Sequence, residues 1–399
     1  MGRRRGGVAV LSRRTLLASA ATSLAAPAVA RSQPMPVFRL PILLPLTGFA
    51  ALEGKSQREG ALLAIRDLAA LTQVQFVPEV LDTGTAPEAA VTAWQRAMRD
   101  GARDGARAPV AVLGPILGTQ MLALLPEAAT AKLPLLAVSG TARLSELGNP
   151  WFFRFFPADT VVKIAHARYV AEITKAKKPA VIYQTTAYGQ SGHAVLAKAF
   201  ADAGIAMVLE EGVATSINDF TPIIAKAKSA GADALVLHLH SQSTALAIRA
   251  ARAIAPDLPI IAGSAMAQPA TAALFQPAEL KGVCSETASM PAASMDEPRM
   301  KAFVEAYRAE YKADPDAFAV AEYDAVSMLA AAIADVARSN GIGTVSGETV
   351  RAKLSALTYR GLATTYRSDG KGNMVHAAII ACYDGSSRVP AIAQRYSFP

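Results

Sequence analysis

One stretch of the sequence, residues 109–142, constrains the fold more than any other. It reads PVAVLGPILGTQMLALLPEAATAKLPLLAVSGTA. Two short apolar runs, Val110–Leu113 and Leu133–Val138, flank a helix-compatible segment, and a loop of small residues follows each run. This order predicts a parallel strand–helix–strand unit. Ligands bind outside the carboxyl ends of the strands in open parallel sheets, so the two loops are either candidate binding loops or ordinary turns.

The same alternation extends over the rest of the chain. It starts afresh at Asp159, so the 399 residues are predicted to form two doubly wound, Rossmann-like α/β units, with later chain returning to both. Further strands are expected at 37–44, 74–81, 151–156, 180–184, 205–210, 234–240, 260–262 and 377–383. Helices are expected at 54–71, 87–100, 159–175, 188–203, 220–229, 241–252, 297–312, 318–338 and 348–357.

The net charge of +8 overstates the basic character of the chain. Five of the 40 basic residues lie within residues 1–30, which leaves 35 basic against 32 acidic residues in the remainder. That remainder has no cluster of Lys and Arg interleaved with aromatic residues. Nucleic-acid binding is therefore not expected.

The N-terminus has the pattern of an export signal. Ser12–Leu17 (SRRTLL) is a twin-arginine pattern, residues 16–26 are weakly apolar, and Ala28-Val29-Ala30 is a cleavage motif. We therefore interpret residues 1–30 as a twin-arginine signal peptide and expect a periplasmic protein; the alternative is an uncleaved basic helix. No later stretch of about 18 apolar residues without charge occurs.

Two cysteines, Cys284 and Cys382, both lie in strand-like runs. In an oxidising compartment they either form a disulfide or remain two buried free thiols, because sequence does not give the Cα separation that a bridge needs.

Three segments of the sequence come close to catalytic or cofactor-binding motifs, but none of them matches its motif. The segment Gly48–Ser56 has five residues between its glycines, where a phosphate-binding loop needs four. Gly189–His193 (GQSGH) does not match a nucleophile elbow. His238 and His240 alternate on a predicted strand without a third ligand nearby. We expect no enzyme activity, no metal and no cofactor.

The order and spacing of several motifs resemble those of the periplasmic solute-binding proteins of ABC importers, of the branched-chain amino acid (leucine/isoleucine/valine) type. The similar segments are Pro45–Gly48, Gly54, Glu59–Ala61, Asp82, Pro87–Ala90, Val112–Pro115, Val138–Thr141, Tyr188-Gly189 and Ala321–Ala325. The resemblance implies the type I periplasmic binding fold, with two lobes joined by three crossovers. Lobe one would comprise 31–157 and 285–362, and lobe two 158–284 and 363–399.

On the first lobe, the resemblance assigns the ligand carboxylate to two loops. Gly118-Thr119 falls where the family presents a Ser and backbone N–H groups, and Thr119 keeps a hydroxyl. Ser139 and Thr141 fall on the second contact loop. Arg143, just beyond it, is either a fork for a carboxylate or a surface arginine.

On the second lobe, Tyr188 matches the aromatic residue that covers the ligand, and His240 stands where another aromatic is common. The position after the candidate contact Ser264 is Ala265, where amino-acid binders carry the carboxylate for the ligand ammonium. Glu53 of the first lobe replaces a family Tyr. Either Glu53 supplies that charge, or the ligand is not an α-amino acid, or Glu53 is a solvated acid in the first turn of a helix.

The function implied is capture of a small solute, either an amino acid, an amide or an aromatic or organic acid, and delivery to ABC permease subunits by a monomer. An exported sensor that signals to a membrane receptor is the alternative. An exported hydrolase would require a nucleophile that the sequence does not offer.

Overall fold

The protein is built on two sheets of mainly parallel strands. The computed structural model describes residues 1–3, 6, 36–71, 74–99, 101, 105–374 and 376–397. The predicted signal peptide lies almost entirely outside these residues. From Pro36 onward the chain forms one unit that contains both sheets.

The first sheet has five parallel strands in the order β2-β1-β3-β4-β5. The interior strand β1 is apolar except for Arg39 and is buried on both faces, as a parallel strand covered by helices must be. The five strands are β1 Val37–Leu44, β2 Gln75–Asp82, β3 Val112–Leu113, β4 Leu135–Ala137 and β5 Phe152–Arg154. The helices between them are α1 Ala51–Leu71, α2 Pro87–Met98, α3 Gly118–Ala131 and the short α4 Arg143–Glu146.

The second sheet has seven strands, of which the first five in sequence are parallel. These are β6 Pro179–Gln184, β7 Leu209–Val213, β8 Ala234–His238, β9 Ile260–Ala262 and β10 Val283–Thr287. The intervening helices are α5 Asp159–Tyr169, which continues as a π-helical turn over Val170–Thr174, α6 Ala187–Asp202, α7 Thr221–Ser229, α8 Ser241–Ile254 and α9 Pro269–Ala272. Single 3-10 turns span Ser264–Ala267 and Pro277–Leu280.

The chain then returns to the first sheet and comes back to the second. The returning helices are α10 Pro298–Tyr311, α11 Ala317–Asn340 and α12 Gly347–Ala356, followed by the small hairpin β11 Tyr359–Arg360 and β12 Thr365–Tyr366. Antiparallel strands β13 Ala378–Cys382 and β14 Ala391–Tyr396 complete the second sheet, whose order is β14-β13-β10-β9-β8-β6-β7. Further 3-10 turns span Pro291–Ala293 and Ile342–Thr344.

The chain therefore passes three times between two lobes, each built on one sheet, after β5, after β10 and before β13. This is the predicted type I periplasmic binding fold, which the structure confirms. Two predicted boundaries do not match it. The boundary at 284/285 would cut β10, whose Cys284–Thr287 pair with β13 as one ladder. The boundary at 362/363 would separate Tyr366 and Met374 from the first-lobe core in which both are buried.

The predicted strand at 205–210 lies later, at Leu209–Val213, because residues 203–205 still complete the end of α6 through bonds to Phe200 and its neighbours. The strand predicted to run to 240 ends at His238, since His240 already precedes helix α8. Strand β14 was not predicted from the sequence.

Cys284 and Cys382 lie directly opposite each other in the antiparallel pair β10–β13 and are joined by a disulfide. The hydroxyl of Tyr169 contacts both sulfur atoms. Of the two alternatives left open by the sequence, the structure has the bridge, which connects residues 98 positions apart.

Helix α11 is long and apolar enough to cross a membrane by length and composition alone. In this protein, 83% of its most apolar window is buried. Residues such as Val326 and Leu329 are buried in the core of the first lobe, where α11 packs against α1. The helix is therefore a core helix of that lobe.

Candidate functional site

A cavity lies between the two lobes, at the carboxyl ends of their parallel strands, and residues of both lobes line it. Four of the predicted contact residues line it, namely Glu53, Tyr188, His240 and Ser264. The other lining residues are Ile116, Val138, Gly140, Phe156, Pro157, Asp159, Val162, Ala265, Glu286 and Phe318.

Glu53 reaches across from the first turn of α1 to the second lobe. Its Oε1 accepts hydrogen bonds from the Ser241 backbone N–H (3.1 Å) and hydroxyl (2.7 Å), and His240 Nδ1 is 3.7 Å away. Its Oε2 is buried without a partner. Burial raises the pKa of Glu53, but His240 and Ser241 more than offset this, and the net direction is downward. The alternative of a solvated first-turn acid is therefore wrong, because the side chain is only 1% exposed.

Asp159 is a site residue that was not predicted from the sequence. It is the first residue of α5, and its backbone N–H donates to Gly140 O across the lobes (2.7 Å). Its carboxylate is fully buried on the cavity wall, and neither oxygen has a hydrogen-bond partner. Burial raises the pKa of Asp159 to about 7, against the attraction of Lys163. The available signal was an acid in the first turn of a helix directly after the first crossover.

Glu286, on β10, is a second missed carboxylate. Its Oε1 accepts a hydrogen bond from the Lys163 ammonium, and His166 Nδ1 lies 3.1 Å from its Oε2. All three side chains are fully buried. Burial opposes the charge of Glu286, but Lys163 and His166 outweigh it, so the pKa of Glu286 is lowered. Burial lowers the pKa of His166, which favours a neutral ring. The ion pair Lys163–Glu286 is therefore internally satisfied.

The loop 139–141 is held from behind by a buried arginine. Arg154 donates from Nη1 to Gly140 O and from Nη2 to Thr141 O, both at 2.8 Å. Burial lowers the pKa of Arg154 to about 10, so it remains charged at neutral pH. The hydroxyls of Ser139 and Thr141 are buried and have no partner. The arginine fixes the backbone of the loop and leaves these hydroxyls available.

Gly118 and Thr119 begin helix α3 beside this loop, and neither lines the cavity. A Cβ added at Gly118 would lie 2.1 Å from Thr141 Oγ1. The glycine is therefore required by the close approach of Thr141, and a serine in its place would not fit this side chain.

We accordingly expect Gly118→Ala to lower the free energy of unfolding by about 1–3 kcal/mol, because Thr141 or the start of α3 must shift. Chemical denaturation measures this. Gly343→Ala is the matched control, since a Cβ at that exposed glycine meets nothing within 4 Å. Equal stability of the two variants would contradict the close approach.

Two further contacts join the lobes around the cavity. The Gln268 amide donates to Asp316 Oδ2 (2.7 Å), where Asp316 also caps the N-terminus of α11. The Ala142 backbone N–H donates to Ser191 Oγ (2.8 Å). The geometry is that of two lobes closed on an interlobe cavity.

A family model described as "Periplasmic binding protein" matches residues 37–387, which include both lobes and all three crossovers. The chain belongs to this periplasmic binding protein family. Individual relatives of the chain include proteins of the type that the sequence motifs resemble.

The leucine-, isoleucine-, valine-, threonine- and alanine-binding protein of Pseudomonas aeruginosa is 24% identical over 336 residues, which are 83% of this chain and 85% of the relative. A leucine-binding protein from Thermotoga maritima has a TM-score of 0.79 at 21% identity, over 90% of this chain and 99% of its own. An ABC-transporter solute-binding protein from Rhodopseudomonas palustris BisB5, in complex with 3,4-dihydroxybenzoic acid, has a TM-score of 0.79 at 19% identity, over 90% and 97%. Solute capture for an ABC importer, as predicted, is consistent with all three.

Two predictions about the site of this periplasmic binding protein need correction. Arg143 lies outside the cavity; its side chain is 63% exposed and approaches Glu146 at 3.8 Å. Ala265 does line the cavity, but it does not leave the second lobe without a carboxylate, because Asp159 and Glu286 lie on the same wall.

An aromatic group closes the second-lobe side of the binding-protein cavity. The ring of Tyr188 packs on His238 (3.9 Å between centroids) and on His240 (5.2 Å). His238 Nε2 lies 3.0 Å from Tyr188 O, and burial lowers the pKa of His238 well below its usual value. The imidazole of His238 is therefore neutral, and among the described residues no cluster of three or more metal-binding side chains occurs.

Proposed function

We propose that this periplasmic binding protein captures a small solute that carries a protonated amine on a compact apolar body, and delivers it to an ABC importer. The observation that supports this is the presence of unpartnered carboxylate oxygens from both lobes, on Asp159 and Glu53, in a cavity with otherwise largely apolar walls.

A buried carboxylate without a partner is costly, and an ammonium group offers the donors and the charge that it lacks. Ionised carboxylate oxygens only accept hydrogen bonds, so above about pH 7 a solute that itself presents only a carboxylate would meet repulsion at Asp159. The aliphatic and aromatic side chains of Ile116, Val162 and Phe318 suit an apolar body.

The relatives include one protein named for solutes with an amine and one that contains a solute without an amine. The Pseudomonas protein is named for aliphatic amino acids, and the Rhodopseudomonas structure contains an aromatic acid without an amine. The carboxylates on the cavity wall favour the amine-bearing kind for this chain.

Calorimetric titration with three matched solutes tests the proposal. Leucine carries both charged groups, 3-methylbutylamine lacks the carboxylate, and 4-methylpentanoate lacks the amine. We expect binding of the first two and none of the third. Binding of 4-methylpentanoate alone would overturn the proposal.

The affinity for an amine is expected to rise with pH up to about 7. Below this value Asp159 is protonated and must release a proton before it can pair with an ammonium group, so affinity should increase about tenfold per pH unit and then level off. The lowered pKa values of Glu53 and Glu286 keep both carboxylates ionised over this range. Titrations from pH 5 to 9 measure the profile, which should be flat for Asp159→Asn. A flat profile in the unmodified protein would contradict it.

Family membership implies an extracytoplasmic location. We propose the twin-arginine route for its export, supported by Arg13 and Arg14 in the SRRTLL pattern. Replacement of both by lysine is expected to leave the precursor in the cytoplasm, as measured by cell fractionation; normal export of that variant would exclude the route.

A further inference from the structure

We propose that the preferred solute of the cavity is a compact organic dication, such as a short diamine, rather than a zwitterionic amino acid. This inference rests on the proposed function and narrows its substrate class from amines in general to those with two positive groups.

The first argument is the balance of charge around the cavity. Three carboxylates line it, those of Glu53, Asp159 and Glu286. The nearby ammonium of Lys163 is hydrogen-bonded to Glu286. Neither Glu53 nor Asp159, one on each lobe, accepts a hydrogen bond from a lysine or arginine side chain, although Lys163 and Arg154 attract Asp159. A dication brings a cationic donor to each of these two carboxylates, whereas a zwitterion brings a cationic donor to one of them, and a buried carboxylate oxygen without a donor is costly.

The second argument is the hydrogen-bonding character of the unpartnered atoms. Glu53 Oε2 and both oxygens of Asp159 have no partner, and an ionised carboxylate can only accept hydrogen bonds. These atoms suit a ligand that donates from more than one nitrogen.

The third argument is the absence of a cationic side chain that is free to receive a ligand carboxylate on the described cavity wall. Arg154 does not line the cavity, and both of its terminal nitrogens donate hydrogen bonds to the carbonyls of Gly140 and Thr141. Arg143 is on the surface. A ligand carboxylate would therefore have only hydroxyl and backbone N–H groups as hydrogen-bond donors.

The positions of the two carboxylates give the dication a role in closure. Glu53 begins a first-lobe helix, and Asp159 begins a second-lobe helix. A solute with one cationic group for each would bind both lobes at once, so its second charge contributes only when the lobes are closed. A monoamine satisfies only one of them.

Isothermal titration with four small solutes tests this: 1,4-diaminobutane, the monocation 1-aminopentane of equal heavy-atom count, the zwitterion 4-aminobutanoate, and pentanoate. We expect 1,4-diaminobutane to bind about tenfold or more tighter than either 1-aminopentane or 4-aminobutanoate. Equal or tighter binding of 4-aminobutanoate or 1-aminopentane would overturn the inference and leave the proposed function standing. Binding of pentanoate alone would overturn both.

The variant Glu53→Gln locates the second charge. It should reduce the ratio of diamine to monoamine affinity to about one, whereas the exposed first-lobe control Glu146→Gln should leave the ratio as in the unmodified protein. An unchanged ratio in Glu53→Gln would contradict the assignment. Because Glu53 also bonds to Ser241, the thermal unfolding of the variant is measured in parallel, and the solute series in the unmodified protein remains decisive if the variant does not fold.

Discussion

The variant Asp159→Asn is expected to bind an amine solute about a hundredfold more weakly than the unmodified protein. Removing the charge from one partner of a buried ion pair typically costs about 2–5 kcal/mol of binding free energy. Asparagine keeps the size of the side chain, so the loss would report the charge and not a change of shape. Isothermal titration at pH 8, where the carboxylate is ionised, measures it.

The same variant is expected to be more stable without solute. The pKa of Asp159 is raised on folding, so its ionised form opposes folding once the pH exceeds the unfolded value near 4, and the full penalty is present above about 7. At pH 8 the asparagine variant should therefore unfold at higher temperature. Weaker binding together with lower stability would indicate a structural role and contradict the assignment. Glu172→Gln, on the exposed surface, is the control.

Lys163→Met is expected to lower the free energy of unfolding by about 3–5 kcal/mol. The substitution leaves the Glu286 carboxylate buried without its principal counter-charge, and breaking such a pair is strongly destabilising. Denaturant titration at pH 7 measures the change.

The double variant Lys163→Met with Glu286→Gln separates charge from packing. Without the carboxylate there is no uncompensated charge, so most of the lost stability should return. Lys198→Met, which breaks an exposed pair with Asp202, should change stability by less than about 1 kcal/mol. A double variant no more stable than Lys163→Met would show that the ammonium stem, and not the ion pair, matters.

The fold was largely predictable because its strands are short apolar runs that end in small residues. Val37–Leu44 and Ile260–Ala262 were predicted with the bounds that they have in the structure. The strand β14 was not, since only its last residue, Tyr396, is fully buried and its sequence has little apolar character. The boundary near 284 was misplaced because β10 continues its ladder to Thr287 before crossing.

The site was less predictable because its charges come together only in three dimensions. Glu53, Tyr188 and His240 were found by position in the family pattern. Asp159 and Glu286 are 127 positions apart in the chain, and the one local signal, an acid in the first turn of a helix, concerns Asp159 alone. The sequence left Arg143 open between a carboxylate fork and a surface arginine, because proximity to Thr141 in sequence does not fix the direction of a long side chain; the structure has the surface arginine.

Helix α11 has a consequence for how the chain crosses a membrane. While unfolded, Ala317–Asn340 is long and apolar enough to be retained by a bilayer during passage through a translocation channel. Folding hides this segment beneath the other elements of the first lobe. In a chain that folds before it crosses the membrane, α11 is therefore not available to insert into the bilayer. In a chain that crosses unfolded, this apolar segment must pass through the translocation channel without inserting into the lipid.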